Sequence, residues 1–177
     1  MAIQLTDNDF TTRMREENKM LMKLNDDKVL NISSMNKSNT EYRIIINAPC
    51  YLFTENYGEP RLSNGPHEVR MSIPRRYPYE KPRVYFPDAQ KRIAHINVWP
   101  TGTVCTGDHW QEQCHNLVFL IEKLMLAMTF DPIAIGFKSM ADDKYYEWMR
   151  TMSIKQKFPT FKWSAPKERT SRIIKVQ

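Results

Sequence analysis

Apolar and polar positions along the chain alternate in two different rhythms, and the change of rhythm marks out the elements. Over residues 7–24, Phe10, Met14, Leu21 and Leu24 fall near one face at helical spacing, and Thr6, Asp7 and Asn8 are available N-caps, so a first helix is predicted there. Asn25-Asp26-Asp27 ends it. The spacing then shortens. Val29 to Met35 reads as a short edge strand, and the β-branched run Tyr42 to Ile46, stopped by Asn47-Ala48-Pro49, reads as a second strand. Residues 55–66, with two Gly, two Pro and two Asn, read as a loop. Val69, Met71 and Ile73 alternate with Arg70 and Ser72 as in a half-buried strand, and Arg83 to Phe86 forms another between Pro82 and Pro87.

Residues 88–116 show no sustained period and read as a loop-rich segment. Helical spacing returns at Leu117, Leu120, Ile121, Leu124 and Met128, before Asp131-Pro132. A third helix is expected over residues 139–152, with Met140, Tyr145, Trp148 and Met152 inward and Asp142, Asp143 and Lys144 on the wet side. The order predicts an α+β domain of the layered kind: N-terminal helix, four-stranded antiparallel meander, central loop, central helix and C-terminal helix.

Charge sharpens the domain picture. The net charge is +6, and residues 155–177 hold seven basic residues against Glu168 alone, so residues 1–154 are neutral. A basic C-terminal extension over 153–177 is therefore set apart from a domain over 5–152. A nucleic-acid reader would normally show its basic surface within the folded body, so nucleic acid is not the expected partner. The extension's Phe158, Phe161 and Trp163 suggest that its start packs on the domain, and partner contact or solubility is its expected use. No run approaches the roughly 20 apolar residues of a membrane helix, so no membrane association is expected. No secretory signal is visible, and with 3 Cys the expectation is free thiols in the cytoplasm.

The chemistry-bearing residues gather in the aperiodic centre. Cys105 follows Gly102 in a segment where backbone can approach a bound group. Asn97 lies eight residues upstream, close enough for a hairpin-like loop to bring its amide beside the sulfur. A fixed N–H beside a nucleophilic thiol suits acyl transfer, whose tetrahedral intermediate carries an oxyanion. Cys50, in Ala48-Pro49-Cys50-Tyr51-Leu52, is expected instead to be a buried small hydrophobe.

This segment resembles the ubiquitin-conjugating enzymes. Tyr77 to Phe86 is similar to that family's Tyr-Pro-Phe-x-x-Pro-x-Val-x-Phe turn and strand, and His95-Ile96-Asn97 is similar to its His-Pro-Asn motif. Gly102 and Cys105 match the spacing of its active-site cysteine, and the flanking elements agree in order over about residues 8–150. The resemblance implies an enzyme of this fold, and the chain's departures from the family pattern point to a divergent or prokaryotic-type one. Cys105 would carry ubiquitin or a ubiquitin-like protein as a thioester, Asn97 would stabilise the oxyanion when an amine attacks, and His95 would hold the loop's shape. Tyr79 would meet an activating enzyme or a ligase. No cofactor is implied, because ATP is consumed upstream by the activating enzyme.

The departures from the family pattern are specific. Ile96 stands where the family has proline, and Trp110 comes about three residues early. The family's loop after the central helix supplies a carboxylate, whereas Ile133-Ala134-Ile135-Gly136-Phe137 holds none past Asp131, so Asp108 or His109 is expected to substitute. Other readings are weaker. Cys105, His109, Cys114 and His115 match no standard zinc spacing, so no metal is expected. His95 and Asn97 are too close in sequence for the relay of a cysteine hydrolase. The remaining alternative is an inactive variant of the same fold serving as a protein-binding adaptor, against which the presence of both Cys105 and Asn97 weighs.

Overall fold

A computed structural model describes residues 6–26, 28–106, 110–111, 115–130 and 140–154. Helix α1 spans Asp7–Met22, and its N-cap is Thr6, whose side chain accepts from the Asp9 amide. Such a cap is typically worth about 1 kcal/mol. Phe10, Met14 and Leu21 are buried on one face, as the spacing predicts.

The strands are β1 (Leu30–Ser34), β2 (Glu41–Ile46), β3 (Cys50–Leu52), β4 (Arg61–Ser63), β5 (His67–Ser72) and β6 (Arg83–Tyr85). The main sheet is antiparallel with order β1-β2-β5-β6. Its register sets Leu30 opposite Ile46, Ile44 opposite Val69, and Met71 opposite Val84. Because strand side chains alternate, this register puts Leu30, Ile32, Tyr42, Ile44, Ile46, Val69, Met71 and Val84 on one buried face. The other face carries Glu68 between Arg43 and Arg70, at 2.9 and 3.1 Å. Helix α2 (Leu117–Met128) adds Leu117, Leu120, Ile121 and Leu124 to the same core.

Three sequence expectations need correction. Residues 55–66 are not wholly a loop, because β4 pairs with β3, Tyr51 lying opposite Leu62. A three-residue strand beside Pro60 is too short to show a period, and its partner strand alone reveals it. The segment expected as one helix over 139–152 is a single 3-10 turn, Asp143–Tyr145, running into α3 (Tyr146–Ile154). Asp142, assigned to the wet side, is buried, while Met140 is exposed. The 3-10 turn breaks the helical phase on which that assignment rested. Cys50 is buried as expected, with its sulfur 3.2 Å from His67 Nε2 and its thiol pushed up to about 12 by burial.

One buried carboxylate ties the elements around the site together. Glu17 of α1 accepts from the Tyr77 hydroxyl at 2.5 Å and from the Leu117 amide at the start of α2 at 3.1 Å. The Arg13 guanidinium lies 3.4 Å away on the previous turn. The proline turn that follows Tyr77 is also held by Trp110, whose indole N–H donates to the Pro78 carbonyl at 2.5 Å.

Candidate active site

Beyond β6 the chain returns as a small hairpin. The Gly102 amide donates to the Trp99 carbonyl at 2.7 Å, which closes a turn with Pro100 at its second position. The Trp99 amide donates to the Thr103 carbonyl at 2.8 Å, and Val98 pairs with Val104. Gly102 has φ +86°, and a Cβ there would sit 2.9 Å from the Phe86 carbonyl oxygen, so both conformation and space require glycine. The hairpin is stitched to the sheet by two bonds, from Phe86 N–H to the Gly102 carbonyl at 2.9 Å and from Val104 N–H to the Val84 carbonyl at 2.8 Å.

This ladder places the sulfur. The Cys105 amide donates to the Asn97 carbonyl at 2.7 Å, one step along from the Val98–Val104 pair. Val98 and Val104 point inward and are buried. Asn97 and Cys105 therefore lie at opposed backbone positions, and both are half-buried. Directly opposed residues of such a ladder hold their Cβ atoms within about 4.5–5.5 Å. Exposed Trp99 and half-buried Thr103 are opposed on the other side of the Val98–Val104 pair.

His95 is buried beneath this hairpin. Its Nδ1 accepts from the Asn97 amide at 3.0 Å, and its ring lies 5.4 Å from Phe130. Burial pushes its pKa down to about 3. The ring is therefore neutral at ordinary pH, with its proton on Nε2, the nitrogen that does not accept from Asn97. Nε2 has no hydrogen-bond partner among the described residues. Such a ring can fix the Asn97 backbone, but burial keeps it from exchanging protons with solvent at neutral pH.

Ile96, where proline was anticipated from the resemblance, is fully buried, and its peptide unit is bonded at both ends. Its N–H donates to Met149 Sδ at 3.2 Å. Its carbonyl accepts from the Ala141 and Asp142 amides at 2.7 and 2.9 Å. The segment leading into α3 thus lies against the turn that carries Asn97. Asp142, whose side chain is buried, and exposed Asp143 follow directly on that contact. Asp108 and His109, expected to substitute, lie outside the described residues, as do Cys114 and the basic extension from 155 onward.

Tyr79, the expected partner contact, is 42% exposed, and its backbone is fixed by a 2.8 Å bond to the Arg76 carbonyl. Tyr77, two residues earlier, is fully buried.

The architecture is that of the ubiquitin-conjugating-enzyme fold. A solved structure described as a novel ubiquitin-conjugating enzyme superposes with a TM-score of 0.55 and 16% identity, over 82% of this chain and 86% of that one. The structure of human ubiquitin-conjugating enzyme E2 G1 aligns with a TM-score of 0.49 and 17% identity, over 75% of this chain and all of that one. No protein-family model matches the sequence, and neither does any curated protein. No helix among the described residues is long and apolar enough to cross a membrane.

Proposed function

We propose that this protein is a conjugating transferase that carries ubiquitin or a ubiquitin-like protein as a thioester on Cys105 and passes it to an amine or to a partner enzyme. One observation carries the reading: Asn97 and Cys105 are joined backbone to backbone across the hairpin, with the cysteine half-buried and not sealed in the core. The shared fold supports it.

The chemistry balances in two steps. Cys105 Sγ attacks the acyl carbon of the thioester presented by an activating enzyme. The new C–S bond forms, the old one breaks, and the thiol proton ends on the departing sulfur. An amine then attacks the same carbon, the tetrahedral oxygen takes up negative charge, and Cys105 leaves with the proton that the amine gives up. Asn97 acts at the second step by donating to that oxygen. A donor of this kind typically contributes roughly 10²–10³ in rate. Exchange between thioesters is nearly isoenergetic, so a sulfur can both receive and release the carried group.

Tyr79 and the exposed side of α1 are the surface on which the activating enzyme or a ligase would dock. The test is incubation with an activating enzyme, ATP and ubiquitin, followed by intact mass. An adduct of one ubiquitin, lost with thiol reductant and converted to a reductant-stable ester by Cys105→Ser, supports the reading. A chain that stays unmodified with ubiquitin, and with every ubiquitin-like protein encoded beside it, is an adaptor and not a transferase.

A further inference from the structure

The Ile96 peptide unit is held by a ring of interactions that begins and ends within five residues of itself. Arg92, four residues upstream, is buried with its side chain only 3% exposed. Its guanidinium carbon lies over Phe53, 3.5 Å from the ring centroid, and the group donates to the Ala89 carbonyl at 2.7 Å. Its other terminal nitrogen faces the Asp142 carboxylate at 4.0 Å, and that side chain is equally buried. The same carboxylate accepts from the Lys144 amide at 3.1 Å, capping the 3-10 turn. The Asp142 amide, beside that of Ala141, holds the Ile96 carbonyl. Ile96 is joined directly to Asn97.

A buried ion pair is poor evidence of stability, because desolvation offsets most of its attraction. A pair seated on the segment that, among the described residues, bonds the Ile96 carbonyl calls for another account. We infer that Arg92 and Asp142 are positioning residues: they seat the 141–142 backbone on the Ile96 carbonyl and thereby fix the direction in which Asn97 presents its amide to the acyl group on Cys105. The inference rests on the proposed function for its kinetic consequence but not for its geometric one. It also accounts for Ile96. With the Ile96 peptide gripped at both N–H and C=O by residues 141–149, a proline is not needed to hold the turn, and a proline would have no N–H to offer Met149.

The decisive variant is Asp142→Asn, which keeps the volume and the capping ability but removes the charge that faces Arg92. Isolated thioester is mixed with free lysine and its decay is followed per charged molecule. The expected result is a loss of about tenfold at saturating lysine with KM for lysine unchanged, since small misplacements near a reacting group cost up to ~10²-fold. In an Asn97→Ala background the same substitution should cost nothing more, because the group it acts through is gone. Equal fold-losses in the two backgrounds would overturn the inference. Arg92→Lys, which retains the cation but not the planar guanidinium, passes through the same cycle if Asp142→Asn fails to fold.

A second readout does not depend on activity. In uncharged protein labelled with 15N, Asp142→Asn should shift or broaden the Asn97 side-chain amide signals. Unmoved signals would reject the positioning role even in an active enzyme. A wild-type protein that never forms a thioester would instead reject the functional reading, while this measurement still decides the geometry.

Discussion

The Cys105 amide donates to the Asn97 carbonyl at 2.7 Å, so the residues proposed as nucleophile and oxyanion donor are tied to each other through their backbones. Asn97→Ala is therefore expected to slow aminolysis of the thioester by roughly 10²–10³, with the loss falling on discharge far more than on charging. Single-turnover decay with free lysine measures the first, and the initial rate of thioester formation measures the second. Equal losses in both would remove the oxyanion role.

Introducing the family's proline should harm this protein. Ile96→Pro deletes the N–H that donates to Met149 Sδ and replaces a fully buried side chain with a smaller one of different shape. The expected destabilisation is about 1–3 kcal/mol, combining a lost hydrogen bond with imperfect packing. A fall in the urea midpoint at constant slope would verify it. A midpoint that rises would mean that the turn needs a fixed φ more than it needs the sulfur contact.

Much of this arrangement was legible in the sequence, and what was not had physical reasons. The alternation around Val69 and Met71 and the run Tyr42 to Ile46 gave the sheet because burial of one face imposes a period of two. The His95, Asn97, Gly102 and Cys105 spacing located the hairpin because a tight turn with φ +86° leaves a glycine in the chain as its mark. Glu17 and Asp142 left no such mark. A buried carboxylate looks like a surface one until its donors are known, and those donors lie as far away in sequence as Leu117 from Glu17. The β3–β4 pair was likewise invisible, because its strands are shorter than any period that could betray them.

Acid should weaken the fold through His95. Its folded pKa of about 3 lies well below the ordinary value of 6.5, the cause being burial away from solvent. The unfolded chain therefore binds a proton that the folded chain refuses, so the stability this group supports is complete above about pH 6.5 and declines as the pH falls toward 3. His67, also pushed down by burial, acts in the same direction. The slope from His95 alone is at most about 1.4 kcal/mol per pH unit. His95→Asn offers an acceptor to the Asn97 amide but cannot titrate, so unfolding midpoints measured between pH 4 and 8 should vary less steeply in the variant. An unchanged slope would mean that the ring is protonated within the fold.

Glu17 is the residue whose removal should reach furthest through the structure. Its carboxylate accepts from Tyr77 in the proline turn and from Leu117 at the start of α2, while itself belonging to α1. Glu17→Ala leaves the Tyr77 hydroxyl and the first amide of α2 without their acceptor in a dry setting, and each such group costs about 1–3 kcal/mol. Glu17→Gln keeps one acceptor oxygen but must turn an NH2 toward one of two donors, so it repairs only part of the damage. The expected order of stability is wild type, then Gln, then Ala, with the alanine variant about 2–5 kcal/mol below wild type by urea unfolding. Because Tyr79 shares the turn that Tyr77 anchors, the Gln variant should also charge more slowly at a temperature where it remains fully folded. A Gln variant that unfolds early yet charges at the wild-type rate would show that the anchor serves the core alone and leaves the docking surface undisturbed.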